Sequence, residues 1–423
     1  MAELRKEITT GRGIILAVTM VLGSGLFGLP GLALERGTPY EALAAWFLIS
    51  LAMVPLIFIF SDLGVRFTTA AGLSRYAEEA VGAWGNYAVV YLMIGSVAFG
   101  MPAMSNIAAA YIARLIGTPE SSVTALSLLF IVTMVASNLF GVRTTSAVNG
   151  IAFSTLAGLL LVVIAHNALF IHSGATAATE LLSGRHPLSF RSIGSLCALL
   201  FWAFLGWENL SYGLEEFQNP RRNIPIAFWG SFAAVTILYL LLALTTTGAA
   251  LAGRTVGGAS GMADLLPRNV GEKGLIIVMI LVLLANGNVW VFSISRMLYA
   301  AARDGILPSR LARLDSRGVP TWSLLTLLVL FSAVTILSPL TGLSTGELVI
   351  LVSQNFVFLF AFAVIAYWRL SRGLKGRIVG TAAVLSSALL LSDLSWWILF
   401  PAALTAAGFV VWKKRTTAAG CAP

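Results

Sequence analysis

Charged residues are scarce in this sequence. They make up 11% of its 423 residues, whereas 58% of the residues are hydrophobic. A soluble domain is about 25% charged, so the chain has too few charges to cover the surface of a soluble protein of this length. The alternative solvent is lipid, in which a spanning helix needs about 20 mostly apolar residues. The composition therefore predicts a protein that is integral to a membrane.

Cysteine and histidine are also rare. Cys197 lies in an apolar run and Cys421 in the tail, so no disulfide framework is expected. The three histidines flank one predicted loop without the spacing of a metal site; they are His166, His172 and His186. The sequence lacks clustered catalytic groups, cofactor motifs and the repeated polar rings of a channel pore. It therefore predicts neither an enzyme nor a channel, and no metal or cofactor.

Long apolar runs recur along the whole chain. They are continuous rather than alternating, which is typical of membrane helices and not of barrel strands. The first run leads into further spans, which indicates an anchor rather than a cleaved signal peptide. We predict about twelve spans, near residues 12–34, 42–64, 84–115, 122–140, 147–171, 191–213, 225–252, 273–302, 321–338, 345–368, 376–393 and 396–412.

Lysine and arginine are distributed unevenly between the predicted loops. If the N-terminus is cytoplasmic and the spans alternate in direction, most of the 27 basic residues fall on the cytoplasmic side. The positive-inside rule then predicts a multi-pass protein of the cell inner membrane, with both termini in the cytoplasm. The basic residues of the short cytoplasmic loops explain the net charge of +9, so no nucleic-acid partner is expected.

Two of the predicted spans contain residues that a regular helix does not accommodate. The first has four glycines and a proline within residues 23–31, and the sixth has Gly206 beside Glu208. An interior glycine costs about 1 kcal/mol relative to alanine, and proline about 3 kcal/mol. Interrupted spans in matching positions of two halves point to a transporter binding site. Close packing of small residues between helices is the alternative explanation for the glycines.

Unwinding of two spans would free backbone groups near the middle of the membrane. The N-terminus of a half-helix presents N–H donors and partial positive charge to a carboxylate. The freed carbonyl groups accept hydrogen bonds from an ammonium group or hold a cation. An amino acid carries both charges, so two adjacent breaks suit its zwitterion. The residues that we expect to bind it there are Gly23, Ser24, Gly25 and Gly206.

Four stretches of the sequence resemble the amino acid–polyamine–organocation superfamily of transporters. They lie within residues 23–27, 66–76, 204–225 and 295–308, and the last two are long and specific. The likeness extends over residues 8–370. Within the superfamily, the sixth span and the Gly-Met-Pro-Ala motif at 100–103 resemble bacterial exporters of methionine and branched-chain amino acids.

The resemblance implies an all-α leucine-transporter fold, in which two inverted repeats of five helices contain broken helices 1 and 6. It divides the chain into a first repeat (residues 1–172), a second repeat (190–368) and two final helices with the tail (374–423). The implied partners are an amino acid, a proton or sodium ion and the lipid bilayer. The protein would be a monomer or a homodimer.

Glu208 is the most informative single residue. An ionisable group at membrane depth is costly and indicates a function by default. Loss of water favours the neutral carboxyl group, which suits binding and release of a proton. We therefore predict that Glu208 couples proton movement to transport, with a structural role at the break as the alternative. Some proton-coupled relatives have a lysine in the fifth span where this chain has Thr155, which leaves proton coupling, sodium coupling and pure exchange open.

Apolar and aromatic residues near the breaks predict a neutral, hydrophobic substrate such as methionine, leucine, isoleucine or valine. The candidates are Met101, Trp202, Phe204 and Trp207, for which ordinary packing is the alternative. Asn286 and Asn288 in the eighth span either line the cavity or bridge helices, and Asn288 is our candidate for substrate binding. The predicted function is secondary transport, with export inferred from the resemblance. An exchanger, a sodium-coupled importer and a non-transporting sensor are the alternatives.

Overall fold

The computed structural model describes residues 6, 8–69, 72–139, 158, 159, 161–266, 272–316, 318–391 and 396–418. Within this part of the chain, regular structure is helical apart from an isolated bridge between Ile8 and Phe217. Residues 161–166 are helical as well. The α-helices with defined bounds are α1 (Thr10–Val21), α2 (Ser24–Arg36), α3 (Pro39–Arg66), α4 (Leu73–Val81), α5 (Trp84–Ile116), α6 (Val123–Leu139), α7 (Ala168–Leu182), α8 (Phe190–Leu200), α9 (Trp207–Leu210), α10 (Pro220–Leu251), α11 (Glu272–Arg303), α12 (Thr321–Leu340), α13 (Thr345–Leu370), α14 (Leu374–Leu390) and α15 (Leu399–Ala418).

Helix starts follow local capping signals. The Thr38 hydroxyl accepts a hydrogen bond from the Glu41 N–H, and the Glu41 carboxylate accepts one from the Thr38 N–H, so α3 begins with a capping box. Ser344 and Glu347 form the same arrangement at the start of α13. The long helix α10 begins at Pro220, whose missing N–H is harmless in the first turn.

Eight segments of the described chain are long and apolar enough to cross a membrane. Helices α1 and α2, which meet at a bend of 42°, would form a ninth span. Much of the predicted span at 147–171 lies outside the described residues. Helices α14 and α15 occupy the positions of the last two predicted spans but are not among the eight. The multi-span character is confirmed, and the total of twelve stays a prediction.

The connection between the predicted spans at 147–171 and 191–213 is helical as far as Leu182. The sequence predicts only a connection between two spans here, but α7 packs lengthwise against α10. Gly174 and Gly248 permit this approach, because a Cβ atom at either position would overlap a backbone carbonyl group of the other helix. Contact with a distant helix therefore makes this stretch helical, and the helix ends where Gly184 takes a φ angle of 67°.

The two interrupted segments lie inside the bundle. Helix α2 contacts α8 and α5, while α1 contacts α10 and the short helix α9. Around them, α10 packs against α7 and α3, and α13 packs against α5 and α4. Helix α5 also contacts α15 along the outside of the bundle. The breaks are thus surrounded by long apolar helices.

Hydrogen bonds connect separate segments at both ends of the bundle. At one end, the Ile8 N–H donates to the Glu216 carbonyl group over 2.9 Å, so the residue preceding α1 is joined to the segment preceding α10. At the other end, the Gly258 N–H donates to the Gly31 carbonyl group over 3.1 Å. Gly258 lies in the connection between α10 and α11. Asp264 of the same connection forms a bidentate ion pair with Arg114 on α5, over 2.7 and 3.1 Å.

Candidate functional site

The first break separates α1 from α2 at Leu22 and Gly23. A Cβ atom at Gly23 would lie 2.5 Å from the side-chain oxygen of Asn286 on α11. A Cβ atom at Gly25 would lie 2.7 Å from the Cα atom of Ala203. The two glycines are therefore required by close approach, in one case to a polar side chain and in the other to the second break.

The second break follows α8, where residues Phe201–Phe204 form a 3-10 turn and Leu205 is extended. Gly206 has a φ angle of 139°, a conformation that glycine adopts without strain and other residues rarely do. A Cβ atom at Gly206 would lie 2.7 Å from the carbonyl oxygen of Met20. The backbones of the two breaks therefore touch, as expected for a site built from two interrupted spans.

Glu208 lies in the first turn of α9 and is completely buried. Its Oε2 atom accepts a hydrogen bond from the Gly206 N–H over 2.9 Å. Its Oε1 atom has no hydrogen-bond partner within the described residues. One carboxylate oxygen thus binds a donor freed by the break, and the other is left without a partner in an apolar environment, which is costly for a charged group.

A cavity lies between the two breaks and helices α5, α11 and α13. Its empty volume, including its opening, is about 520 Å³. The breaks and their flanking turns contribute Met20, Val21, Gly23, Gly25, Trp202 and Leu205. The packed helices contribute Ser96, Val97, Gly100, Met101, Met104, Asn286, Trp290, Val352 and Phe356. The wall is therefore mainly apolar, aromatic and sulfur-containing, and none of these side chains carries a charge.

Similarity to known proteins identifies the family of this chain. The profile of the family described as "Amino acid permease" matches residues 10–417. The chain belongs to this family. The prediction of an amino acid–polyamine–organocation transporter is thereby confirmed.

Curated relatives of the permease cover much or nearly all of its length. It is 24% identical to the uncharacterized amino acid permease YecA of Bacillus subtilis, over 98% of this chain and 97% of YecA. It is 24% identical to the L-methionine/branched-chain amino acid exporter YjeH of Escherichia coli, over 99% and 98% of the two chains. It is 25% identical to the putrescine transporter PotE of Escherichia coli, over 77% and 74%. These relatives are permeases and transporters, in agreement with the prediction that the chain is not an enzyme.

Several predicted substrate-binding residues of the permease lie in the cavity wall. They are Gly23, Gly25, Met101 and Trp202. Ser24 begins α2, and its side chain lies outside the described residues. Gly206 is not part of the wall and instead contacts the backbone of the first break. The structure thus brings four of these residues together around one space.

Phe204 and Trp207 lie outside this wall, in an aromatic cluster. The Phe204 ring contacts Trp46 and Tyr239, at centroid distances of 6.4 and 5.3 Å. The Trp207 Nε1–H group donates to the Ser231 hydroxyl over 2.9 Å, and both side chains are fully buried. In this conformation the two aromatic residues therefore pack the second break against α3 and α10.

Asn288 also lies away from the cavity wall. Its Oδ1 atom accepts hydrogen bonds from the Ser137 hydroxyl and the Asn138 amide, each over 2.6 Å. These bonds join α11 to α6, so Asn288 bridges two helices. Asn286 occupies the cavity wall instead, since residues two apart on a helix point in nearly opposite directions.

Sequence reasoning did not identify Met20, Met104 and Trp290 as part of the site of this permease. Helical periodicity contained a usable signal for two of them. Met104 follows Met101 by three residues and Trp290 follows Asn286 by four, so each pair shares a helix face. Met20 precedes the first break by about one turn, and no local pattern places it in the wall; its carbonyl oxygen lies against Gly206 of the second break.

Proposed function

We propose that the permease is a secondary transporter of neutral, hydrophobic amino acids such as methionine, leucine, isoleucine and valine. The uncharged cavity between the two breaks is the observation that carries this proposal. Thioether and aromatic groups of Met101, Met104, Trp202 and Phe356 suit aliphatic and thioether side chains. The site moves such a substrate across the membrane by alternating access.

The breaks provide binding groups for the two charges of the amino acid. Helix α2 begins at Ser24, so its first backbone N–H groups have no acceptor within the helix and are available to a carboxylate. Carbonyl groups freed at the breaks accept hydrogen bonds from the substrate ammonium. The Ser96 hydroxyl in the cavity wall has no partner within the described residues, and it provides a further donor.

The functions of the relatives bear on the choice of substrate. YjeH is an exporter of methionine and branched-chain amino acids, and PotE is a putrescine transporter. Putrescine is a diamine that needs acceptors or negative charge at both ends. The uncharged wall of this cavity favours the former substrate class. The similarity to YjeH over nearly the whole chain supports export as the direction in the cell.

We propose that transport is coupled to the movement of a proton, which Glu208 binds. The partnerless Oε1 atom of its buried carboxyl group is a place for that proton. The proposed architecture is two inverted repeats at residues 1–172 and 190–368, followed by two helices and the tail at 374–423. The protein lies in the inner membrane with both termini in the cytoplasm, as a monomer or a homodimer.

Transport by the purified protein in proteoliposomes tests this function. Labelled methionine and leucine should accumulate when a pH gradient is imposed, and unlabelled putrescine should not compete. Accumulation that requires sodium or an internal amino acid would identify an importer or exchanger and remove the proton coupling. Binding of methionine without any flux would contradict the transporter proposal in favour of a sensor.

A further inference from the structure

Gly287, between the two asparagines of α11, lies against methionine side chains from two other helices. A Cβ atom at this position would overlap the sulfur atom of Met134 on α6 and the terminal methyl group of Met104 on α5. It would also lie 3.6 Å from the terminal methyl group of Met101. The ends of Met134 and Met104 thus occupy the space that a side chain at position 287 would fill.

The two overlapping methionines differ in their freedom to move. Met134 is fully buried and does not line the cavity. Close to it, the Asn138 amide donates to the Asn288 side chain over 2.6 Å, which joins α6 to α11. Met104 lines the cavity on its other side. An atom added at Gly287 would press on both side chains, and of the two only Met104 borders an empty space, so the end of Met104 would move into the cavity.

We infer that Gly287 sets the upper size limit for the substrate side chain, because it allows Met104 to withdraw from the cavity. This inference rests on the proposed transport function. Methionine is unbranched and has three rotatable bonds, so its end adapts to side chains of different shape. Gly287 thus controls specificity through Met104, without itself contacting the substrate.

The inference predicts how selectivity changes along a series of straight-chain amino acids. The series consists of alanine, 2-aminobutyrate, norvaline, norleucine and methionine, each tested as a competitor of labelled substrate in proteoliposomes. In Gly287→Ala, norleucine and methionine should lose about tenfold in apparent affinity relative to 2-aminobutyrate, since one methylene group in an apolar pocket changes selectivity by about 10–200-fold. A mere loss of stability would reduce transport of the whole series equally.

Gly274→Ala is the matched control on the same helix. A Cβ atom at Gly274 has no neighbour within 4 Å, so this variant should keep the native order of affinities. Met104→Ala should change selectivity in the opposite direction, in favour of the longer side chains. It also serves as the test if Gly287→Ala fails to fold.

The outcomes distinguish this inference from the function on which it rests. If the native protein transports none of the series, the proposed function is wrong and the inference falls with it. If the native protein transports the series but Gly287→Ala and Met104→Ala keep the native order of affinities, the function stands and the inference is wrong. Opposite changes in the two variants, with an unchanged Gly274→Ala control, are the expected result.

Discussion

Gly248 of α10 lies directly against Gly174 of α7: a Cβ atom at Gly248 would lie 2.9 Å from the backbone nitrogen of Gly174. The same atom would overlap the carbonyl group of Phe170, and a Cβ atom at Gly174 would overlap the carbonyl group of Leu244. Small residues let membrane helices approach closely and gain van der Waals contact. This contact fixes α7 to α10, which also packs against the second break through Ser231.

Gly248→Ala should therefore destabilise the protein. The new methyl group meets backbone atoms, which cannot rotate away, and overpacking of this kind costs about 1–3 kcal/mol. The melting temperature in detergent should fall clearly, whereas Gly274→Ala, whose added methyl group has no neighbour within 4 Å, should leave it unchanged or slightly higher. Equal melting temperatures for the two variants would contradict the close helix contact.

Substitutions of Glu208 separate its two roles. Glu208→Gln keeps an oxygen that accepts the Gly206 N–H group, but it cannot release a proton. The variant should fold with near-native stability and lose accumulation driven by a pH gradient. Exchange of labelled for unlabelled methionine across the membrane, which needs no net proton movement, should continue. Full gradient-driven accumulation in Glu208→Gln would exclude this residue as the coupling group.

Glu208→Ala is the companion variant, because it removes the acceptor as well. The buried N–H group of Gly206 would lose the hydrogen bond that the structure assigns to it. An unsatisfied buried donor costs about 1–3 kcal/mol, so the alanine variant should unfold at a lower temperature than the glutamine variant. If the two variants have the same melting temperature, the carboxylate does not stabilise the break.

The ion pair between Arg114 and Asp264 should hold the connection that follows α10. This connection contacts the second half of α2 through the Gly258–Gly31 hydrogen bond. Hydrogen bonds to charged groups contribute about 1.5–3 kcal/mol. Hydrogen exchange of residues 255–266 should thus be about tenfold faster or more in Asp264→Ala.

The Arg75–Glu79 ion pair within α4 provides the control for this measurement. It joins two residues of one helix, so Glu79→Ala should leave exchange of residues 255–266 at the native rate. Unchanged exchange in Asp264→Ala would mean that backbone contacts alone hold the connection, and that the ion pair has no part in closing this end of the bundle.

The sequence was sufficient to predict the breaks and most of the long spans, because glycine, proline and apolar run length act locally. The span predicted at 42–64 corresponds to helix Pro39–Arg66, and the predicted breaks coincide with Gly23 and Gly206. Which side chains face the cavity depends on contacts between distant segments. The sequence analysis favours Asn288 over Asn286 as the substrate-binding residue, but the position of α6 makes Asn288 the bridging residue and leaves Asn286 in the cavity wall.

Trp202 and Trp207 illustrate the same limit and provide a final test. Both were predicted to contact substrate, yet Trp202 lies in the cavity wall and Trp207 is hydrogen-bonded to Ser231 in the core. Trp202→Leu should therefore weaken the apparent affinity for methionine by about tenfold or more, since aromatic side chains supply much of the apolar contact area of a site. Its melting temperature without substrate should change little.

Trp207→Phe should have the reverse effect. Phenylalanine keeps most of the packing against Phe232 but loses the hydrogen bond to Ser231, at a cost of about 0.5–1.5 kcal/mol. The melting temperature should fall while the apparent affinity for methionine stays close to native. A large loss of affinity in Trp207→Phe at unchanged stability would mean that Trp207 reaches the substrate in another conformation of the transport cycle, and that the cavity described here is only part of the binding site.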